Sequence, residues 1–167
     1  YNKYYSSNIM KVALISNLPI ADMEQKAQKY FADIKNKNIE KPSVTANLDF
    51  DKAGGKRVFY SPNEDVKQLK LDFTITNNSD EFAVKPNRFV SYLLSNEMPG
   101  SPAQILRDKG WVSQLGASAS PTQYANYGAL TVDIELTDLG MQNREAIVAV
   151  VMQYIDLIKK EGVDSKY

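Results

Sequence analysis

Two residue types are missing altogether from this 167-residue chain, which contains neither cysteine nor histidine. Without cysteine there is no disulfide, no thiolate metal site and no Cys nucleophile, although this does not tell an oxidising compartment from a reducing one. The absence of histidine excludes more. It removes the usual acid/base group near neutral pH, the Ser-His-Asp triad and the commonest zinc ligand. An enzyme built wholly from these residues would need a carboxylate pair, a Lys or Tyr base, or an all-oxygen metal site. Long apolar runs are lacking too: none approaches the roughly 18 residues that span a bilayer, and no charged-then-apolar signal segment opens the chain. Net charge is zero, with 20 Lys+Arg against 20 Asp+Glu. Nucleic acid and anionic membrane surfaces therefore lose their electrostatic footprint.

What is present reads as one sizeable domain, residues 1–167, with a real core. The chain opens "YNKYYSSN" with no Met, and "EGVDSKY" follows a long helical pattern, so an excerpt of a larger multidomain protein is expected. "NIMKVALISN" is apolar on both faces of an extended chain, which predicts a central strand. From Pro19 the period changes: Met23, Ala27, Tyr30, Phe31 and Ile34 form one helical stripe, with Pro19 in the first turn. Residues 35–56 are polar and rich in turn formers, an extended connection. "KRVFYS" and "KQLKLDFTITN" read as strands; in the second, Leu69, Leu71, Phe73 and Ile75 alternate with Lys70, Asp72, Thr74 and Thr76, giving one buried and one wet face.

Phe89, Val90, Leu93 and Leu94 predict a helix over 86–96, and a shorter one follows over 101–109. Ser101 and Gln104 have capping-box spacing, and Pro102 takes the first helical position. Gly110 supplies a left-handed stop, after which Trp111 falls where a Schellman motif packs its apolar partner against Leu106. "VSQLGASAS" and "GALTVDIELT" read as antiparallel neighbours, and a final helix carries an Ile147, Val151, Ile155, Ile158 stripe. The expected order is β-α-β-β-α-α-β-β-α, an α+β two-layer sandwich with a mainly antiparallel sheet and helices on one face.

Little of this carries chemistry. Asp49, Asp51 and Gly54 in "DFDKAGG" have part of a calcium-loop pattern, but the later ligands and the closing Glu are missing, which leaves an ordinary turn. Asp133 and Glu135 share one strand face, which without a partner is far more often a solvated surface than a pair of working acids. Asn77-Asn78-Ser79 fits a glycosylation acceptor. Gln153, Tyr154 and the Tyr1, Tyr4, Tyr5 cluster suit packing or an interface better than a ligand. No dinucleotide fingerprint, Walker loop, nucleophile elbow or H-x-x-E-H occurs.

Three stretches, "YYSSNIMKVALISNLPIADMEQKAQKYF", "PNRFVSYLLSNEMPGSPAQILRDKGWV" and "LTVDIELTDLGMQNREAIVAVVMQYIDLIKKEG", resemble the second, zinc-free domain of the pitrilysin- and insulysin-like M16 (inverzincin) zinc endopeptidases. The strongest match is P-G-S followed ten residues later by G-W-V, and the ending looks closer to the bacterial pitrilysin branch. The resemblance implies an M16 (LuxS/MPP-like metallohydrolase) fold and a parent with four homologous domains around a peptide-degrading chamber, its partners being peptide substrates and the other M16 domains. It places zinc (Zn) on the first domain's H-x-x-E-H and a downstream Glu, and the substrate-grasping Arg and Tyr in the last domain. No catalytic residue and no metal ligand is therefore expected here. A periplasmic location is implied in the same way.

Insulysin-like members also use the second domain as an exosite, where the N-terminal stretch of a substrate adds as a strand to a sheet edge. The resemblance carries this onto Ser95 and Glu97 before the turn and Leu115, Gly116 and Ala117 after it, with Glu97 receiving a free amino terminus. The sequence departs from that pattern: Ser95, Tyr92 and Arg88 stand where insulysin-like exosites have glycine and histidine, and Ala117 where they have glycine. A second reading, from zinc-free members of the superfamily, is a structural or peptide-binding subunit without protease activity.

Overall fold

A computed structural model describes residues 3–44, 54–123 and 126–162. The described residues divide after Ser43 into two compact units. In the first, the expected strand over 8–17 does not form. Ser7–Ile9 make a single 3-10 turn, and residues 10–16 belong to no ladder. An apolar run becomes a strand only when a second backbone meets its N–H and C=O groups. Within this unit the other regular element is the helix α1 (Ile20–Phe31). Ile15 is accordingly 99% exposed. The segment is tied instead to the chain after α1: the Ser7 N–H donates to the Lys35 carbonyl (3.2 Å), the Lys37 N–H to Ser6 Oγ (2.7 Å), and Asn8 Nδ2 to the Ile39 carbonyl (2.8 Å). Pro19 caps α1 from just outside its first turn, its carbonyl accepting from Asp22 and Met23. Of the predicted stripe, Met23, Ala27 and Ile34 are half-buried and Tyr30 and Phe31 are exposed.

The second unit contains β1 (Gln68–Thr76), α2 (Pro86–Ser95), α3 (Pro102–Asp108), β2 (Val112–Ser120), β3 (Tyr127–Leu136), α4 (Asp138–Gln142) and α5 (Arg144–Glu161). Its sheet has the order β1-β3-β2, antiparallel throughout. Strict alternation in β1 and β3 sets the register. Leu69, Leu71 and Phe73 lie opposite Ile134, Val132 and Leu130, so these six side chains point one way. One slip would reverse all of them. β2 breaks the alternation at its start, where the buried Val112 and Leu115 stand an odd three residues apart. A bulge between Val112 and Gln114 absorbs the difference and turns both inward. The core joins Leu94 of α2, Ala103 and Leu106 of α3, Ile147 and Val151 of α5 and the inner faces of β2 and β3. The opposite face keeps Lys70, Asp72, Thr131, Asp133 and Glu135. The α+β class with helices on one face of an antiparallel sheet is the observed one.

The element order is corrected to α-β-α-α-β-β-α-α among the described residues. "KRVFYS" forms no strand, and Val58 and Phe59 are exposed. Side chains anchor it in place of a ladder: Arg57 grips Glu145 of α5 at 2.6 and 3.0 Å, and the Tyr60 hydroxyl donates to Gln68 Oε1 at 3.2 Å. The closing helix is also preceded by the separate one-turn α4.

The two strands β2 and β3 meet the helices at one corner. Ser101 caps α3 by accepting from the Gln104 N–H (3.2 Å), while Gln104 Oε1 accepts from the Gly100 N–H (3.3 Å). At the other end Gly110 has φ +67°, the Gly110 N–H donates to the Arg107 carbonyl (2.8 Å) and the Trp111 N–H to the Leu106 carbonyl (3.1 Å), a complete Schellman motif. Trp111 is partly buried and packs on the core cluster, of which the fully buried Leu106 is a member. Thr137 then closes the corner. Its hydroxyl donates to the Gly110 carbonyl (2.7 Å) and accepts from the Gly140 N–H (3.0 Å), and its own N–H donates to the Trp111 carbonyl (3.1 Å).

Gly140 is pressed so closely on Trp111 that an added Cβ would stand 1.8 Å from the Trp111 oxygen. Helix propensity alone would make Gly140→Ala stabilising by up to about 1 kcal/mol. The contact reverses the sign: Gly140→Ala is expected to cost about 2–4 kcal/mol in chemical denaturation, as forced overpacking does. Gly116→Ala meets nothing within 4 Å, and is the matched near-neutral control. At the cap, Ser101→Ala is expected to lower stability by about 1 kcal/mol. Gln104→Ala should cost less, because its side chain serves Gly100 rather than closing the box on Ser101; equal losses would contradict that geometry.

Candidate functional site

The residues singled out from the sequence fall on two neighbouring pieces of the second unit. Ser95 ends α2, Glu97 follows two residues later, and Leu115, Gly116 and Ala117 occupy the middle of β2; α2 and α3 both pack against that strand. Among the described residues β2 pairs with β3 alone, leaving its other edge outside the ladder. An edge of this kind presents backbone N–H and C=O groups that a further extended chain can use.

The five residues contribute unequally. Leu115 is only 4% exposed and belongs to the core, opposite Ile134. Its side chain is unavailable to a ligand, and a charge placed there would act on folding rather than on binding. Gly116 lies on the polar face opposite Asp133, with open space where a side chain would be. Ala117, opposite Val132, packs partly on the core. The hydroxyl of Ser95 donates to the Ser91 carbonyl at 2.8 Å and so is folded back on its own helix. Asn96 fixes the exit from α2: Nδ2 donates to the Leu93 carbonyl at 2.5 Å and Oδ1 accepts from the Met98 N–H at 3.1 Å.

Glu97 is held by Arg107 through two parallel hydrogen bonds of 2.6 and 2.8 Å. The hydrogen bonds first, and the guanidinium charge second, keep the Glu97 carboxyl below the usual carboxylate range, and Arg107 is raised in turn. Arg107 sits in the last turn of α3, where a cation also suits the helix dipole. Sequence reading did not assign Arg107. The available signal was a pair of opposite charges flanking the Pro99-Gly100-Ser101-Pro102 turn, and the turn is what brings them together.

The other expectations find ordinary settings. Asp133 and Glu135 stand on the open polar face, where Glu135 accepts from the Ser113 hydroxyl at 3.3 Å. Asn77 Oδ1 accepts from the Ser79 N–H, and Asn87 Nδ2 donates to Asn78 Oδ1, forming a local turn. Tyr154 packs on the core and Gln153 is exposed. Tyr4 and Tyr5 are exposed. Tyr1, Asp49 and Asp51 lie outside the described residues. Among the described residues no three carboxylates, His or Cys are grouped to hold a metal ion. A groove of about 570 Å³ runs along β1 between residues 56–60 and the first turns of α5. Beside it, Lys67 bridges Asp138 (3.1 Å) and Asp65 (3.4 Å), contacts that raise its pKa.

Comparison with known proteins gives this arrangement its context. The family model described as the peptidase M16 inactive domain matches residues 1–167. Protease 3 of Escherichia coli (strain K12) is 34% identical over 167 residues, which is 100% of this chain and 17% of that protein. Insulin-degrading enzyme of Drosophila melanogaster is 28% identical over 162 residues, 97% of this chain and 16% of the relative. The crystal structure of pitrilysin superposes with a TM-score of 0.86 and 31% identity, covering 99% of this chain and 18% of that one. The chain thus spans only 16–17% of the length of these curated relatives. With the family model matched from end to end and a relative 34% identical over its whole length, the chain belongs to the peptidase M16 inactive-domain family.

Proposed function

We propose that this chain, residues 1–167 acting as one domain, is the non-catalytic, substrate-holding part of a larger zinc-dependent metalloendopeptidase that degrades peptides and small unfolded proteins. The observation that carries the reading is the end-to-end match to the inactive M16 domain in a chain that has no histidine. Zinc does not fit the residues present, so the metal and the bond-breaking step belong to another domain of the parent. What this chain supplies is binding. The backbone of β2 at Leu115, Gly116 and Ala117 pairs with an extended peptide, and the Ser95–Glu97 turn flanks its end. Backbone pairing is tolerant of sequence, which suits a protease of broad specificity. We place the parent in the periplasm, as the resemblance to pitrilysin implies.

The test uses the intact parent stripped of zinc by a chelator. Turnover is expected to vanish while a long fluorescent peptide still binds within a few-fold of its former affinity. N-methylating two backbone amides near the peptide's N-terminus removes two donors, each worth about 0.5–1.5 kcal/mol net. Binding is expected to weaken roughly tenfold. Equal affinity for the N-methylated and unmodified peptides would rule out strand addition at this edge.

A further inference from the structure

The pairing of Glu97 with Arg107 bears on which peptides such an edge accepts, and the inference rests on the reading of β2 as a peptide-pairing strand. A lone carboxylate just after α2, the helix that packs on β2, would draw in the ammonium of a free amino terminus. Here that carboxylate is already engaged. Both its oxygens accept from the two terminal nitrogens of one guanidinium, at 2.6 and 2.8 Å. This fork-to-fork geometry adds a fixed orientation to two charge-assisted hydrogen bonds. The pair has no net charge, so an arriving ammonium meets a dipole in place of an anion, together with a guanidinium of its own sign.

The surroundings hold the pair in place. Arg107 sits in the last turn of α3, with Leu106 buried on one side and the Gly110 stop beyond. Glu97 follows the Asn96 turn, whose side chain is bonded on both sides. The Ser95 hydroxyl donates a hydrogen bond to the Ser91 carbonyl.

We propose that Arg107 sets the specificity of this edge: by neutralising Glu97 it makes the site indifferent to a free amino terminus, so that blocked peptides and internal segments of a chain are held as well as N-terminal ones. A lysine at this position would hold Glu97 through a single point charge and release it more readily. The strength of amine selection is therefore expected to follow the order Arg, Lys, Met at residue 107.

The experiment uses the intact parent and one peptide sequence in free and N-acetylated forms, reading the ratio of the two KM values in wild type, Arg107→Lys, Arg107→Met, Glu97→Gln and the Glu97→Gln/Arg107→Met double variant. The ratio is expected to be near one in wild type. It should rise several-fold in Arg107→Lys and roughly tenfold in Arg107→Met, where an unpaired carboxylate faces the ammonium. It should return to wild type in the double variant and move the opposite way in Glu97→Gln, where the uncompensated Arg107 guanidinium repels the ammonium. Melting curves establish that each variant is folded, and Arg107→Lys retains a cation at the turn should Arg107→Met not fold. An unchanged ratio in the folded Arg107 variants, with N-methylated peptides still bound weakly, overturns the role of Arg107 alone. Loss of the N-methyl effect in wild type overturns the edge itself, and a strong preference for the free amine in wild type shows that Arg107 does not neutralise Glu97.

Discussion

Much of the second unit depends on how closely Gly140 can approach the Trp111 carbonyl. That approach lets Thr137 bond at once to Gly110, Trp111 and Gly140. One threonine thereby joins the end of α3, the start of β2, the end of β3 and the start of α4. Lys67, at the entry to β1, reaches the same corner through Asp138. Polar groups left over at helix ends are costly when buried, and here each terminus uses the other's leftovers. Trp111 completes the arrangement from the apolar side, packing on the core cluster that includes Leu106 while the Lys109 ammonium sits 5.0 Å from its ring centre. Any side chain at Gly140 would force these ends apart.

The corner also bears on the flanks of the Pro99-Gly100-Ser101-Pro102 turn. The Schellman stop fixes where α3 ends, and so which way Arg107 points. The bulge just beyond it brings Leu115 into the core and leaves Gly116 on the open face. A bend that serves folding thus fixes both the end of the helix that carries Arg107 and the face on which Gly116 lies. The proposed binding role needs no catalytic group here, only a strand whose far edge is left outside the ladder.

Legibility from sequence followed locality. β1 and β3 were readable because strict alternation in Leu69–Ile75 and Leu130–Leu136 is a property of each segment alone, and α3 because its Ser101 cap and Gly110 stop are written within ten residues. Residues 8–17 and 56–61 also carry β-branched and aromatic residues, yet a strand is completed only by a partner backbone, which propensity does not name. The candidate site was legible in the same uneven way. Glu97 and Leu115 were pointed to by the resemblance to insulysin-like exosites and by no local pattern of their own. That Leu115 faces inward follows from the bulge, and that Glu97 is already paired follows from a ten-residue separation closed in space by the turn; neither is visible to a period of two or of 3.6.

Pairing a conspicuous carboxylate changes the kind of site that can exist around it. An exposed ion pair of this sort adds little to stability, since solvent screens it and two long side chains must be ordered to make it. Its larger effect is on the local field, which it reduces from that of a charge to that of a dipole. A binding edge whose affinity comes from backbone pairing loses little by this, because the peptide groups it recognises carry no net charge. What it loses is preference, and in the role proposed above, holding chains for cleavage by another domain, low preference is compatible with the work: the same edge would receive many sequences and leave selection to the rest of the parent.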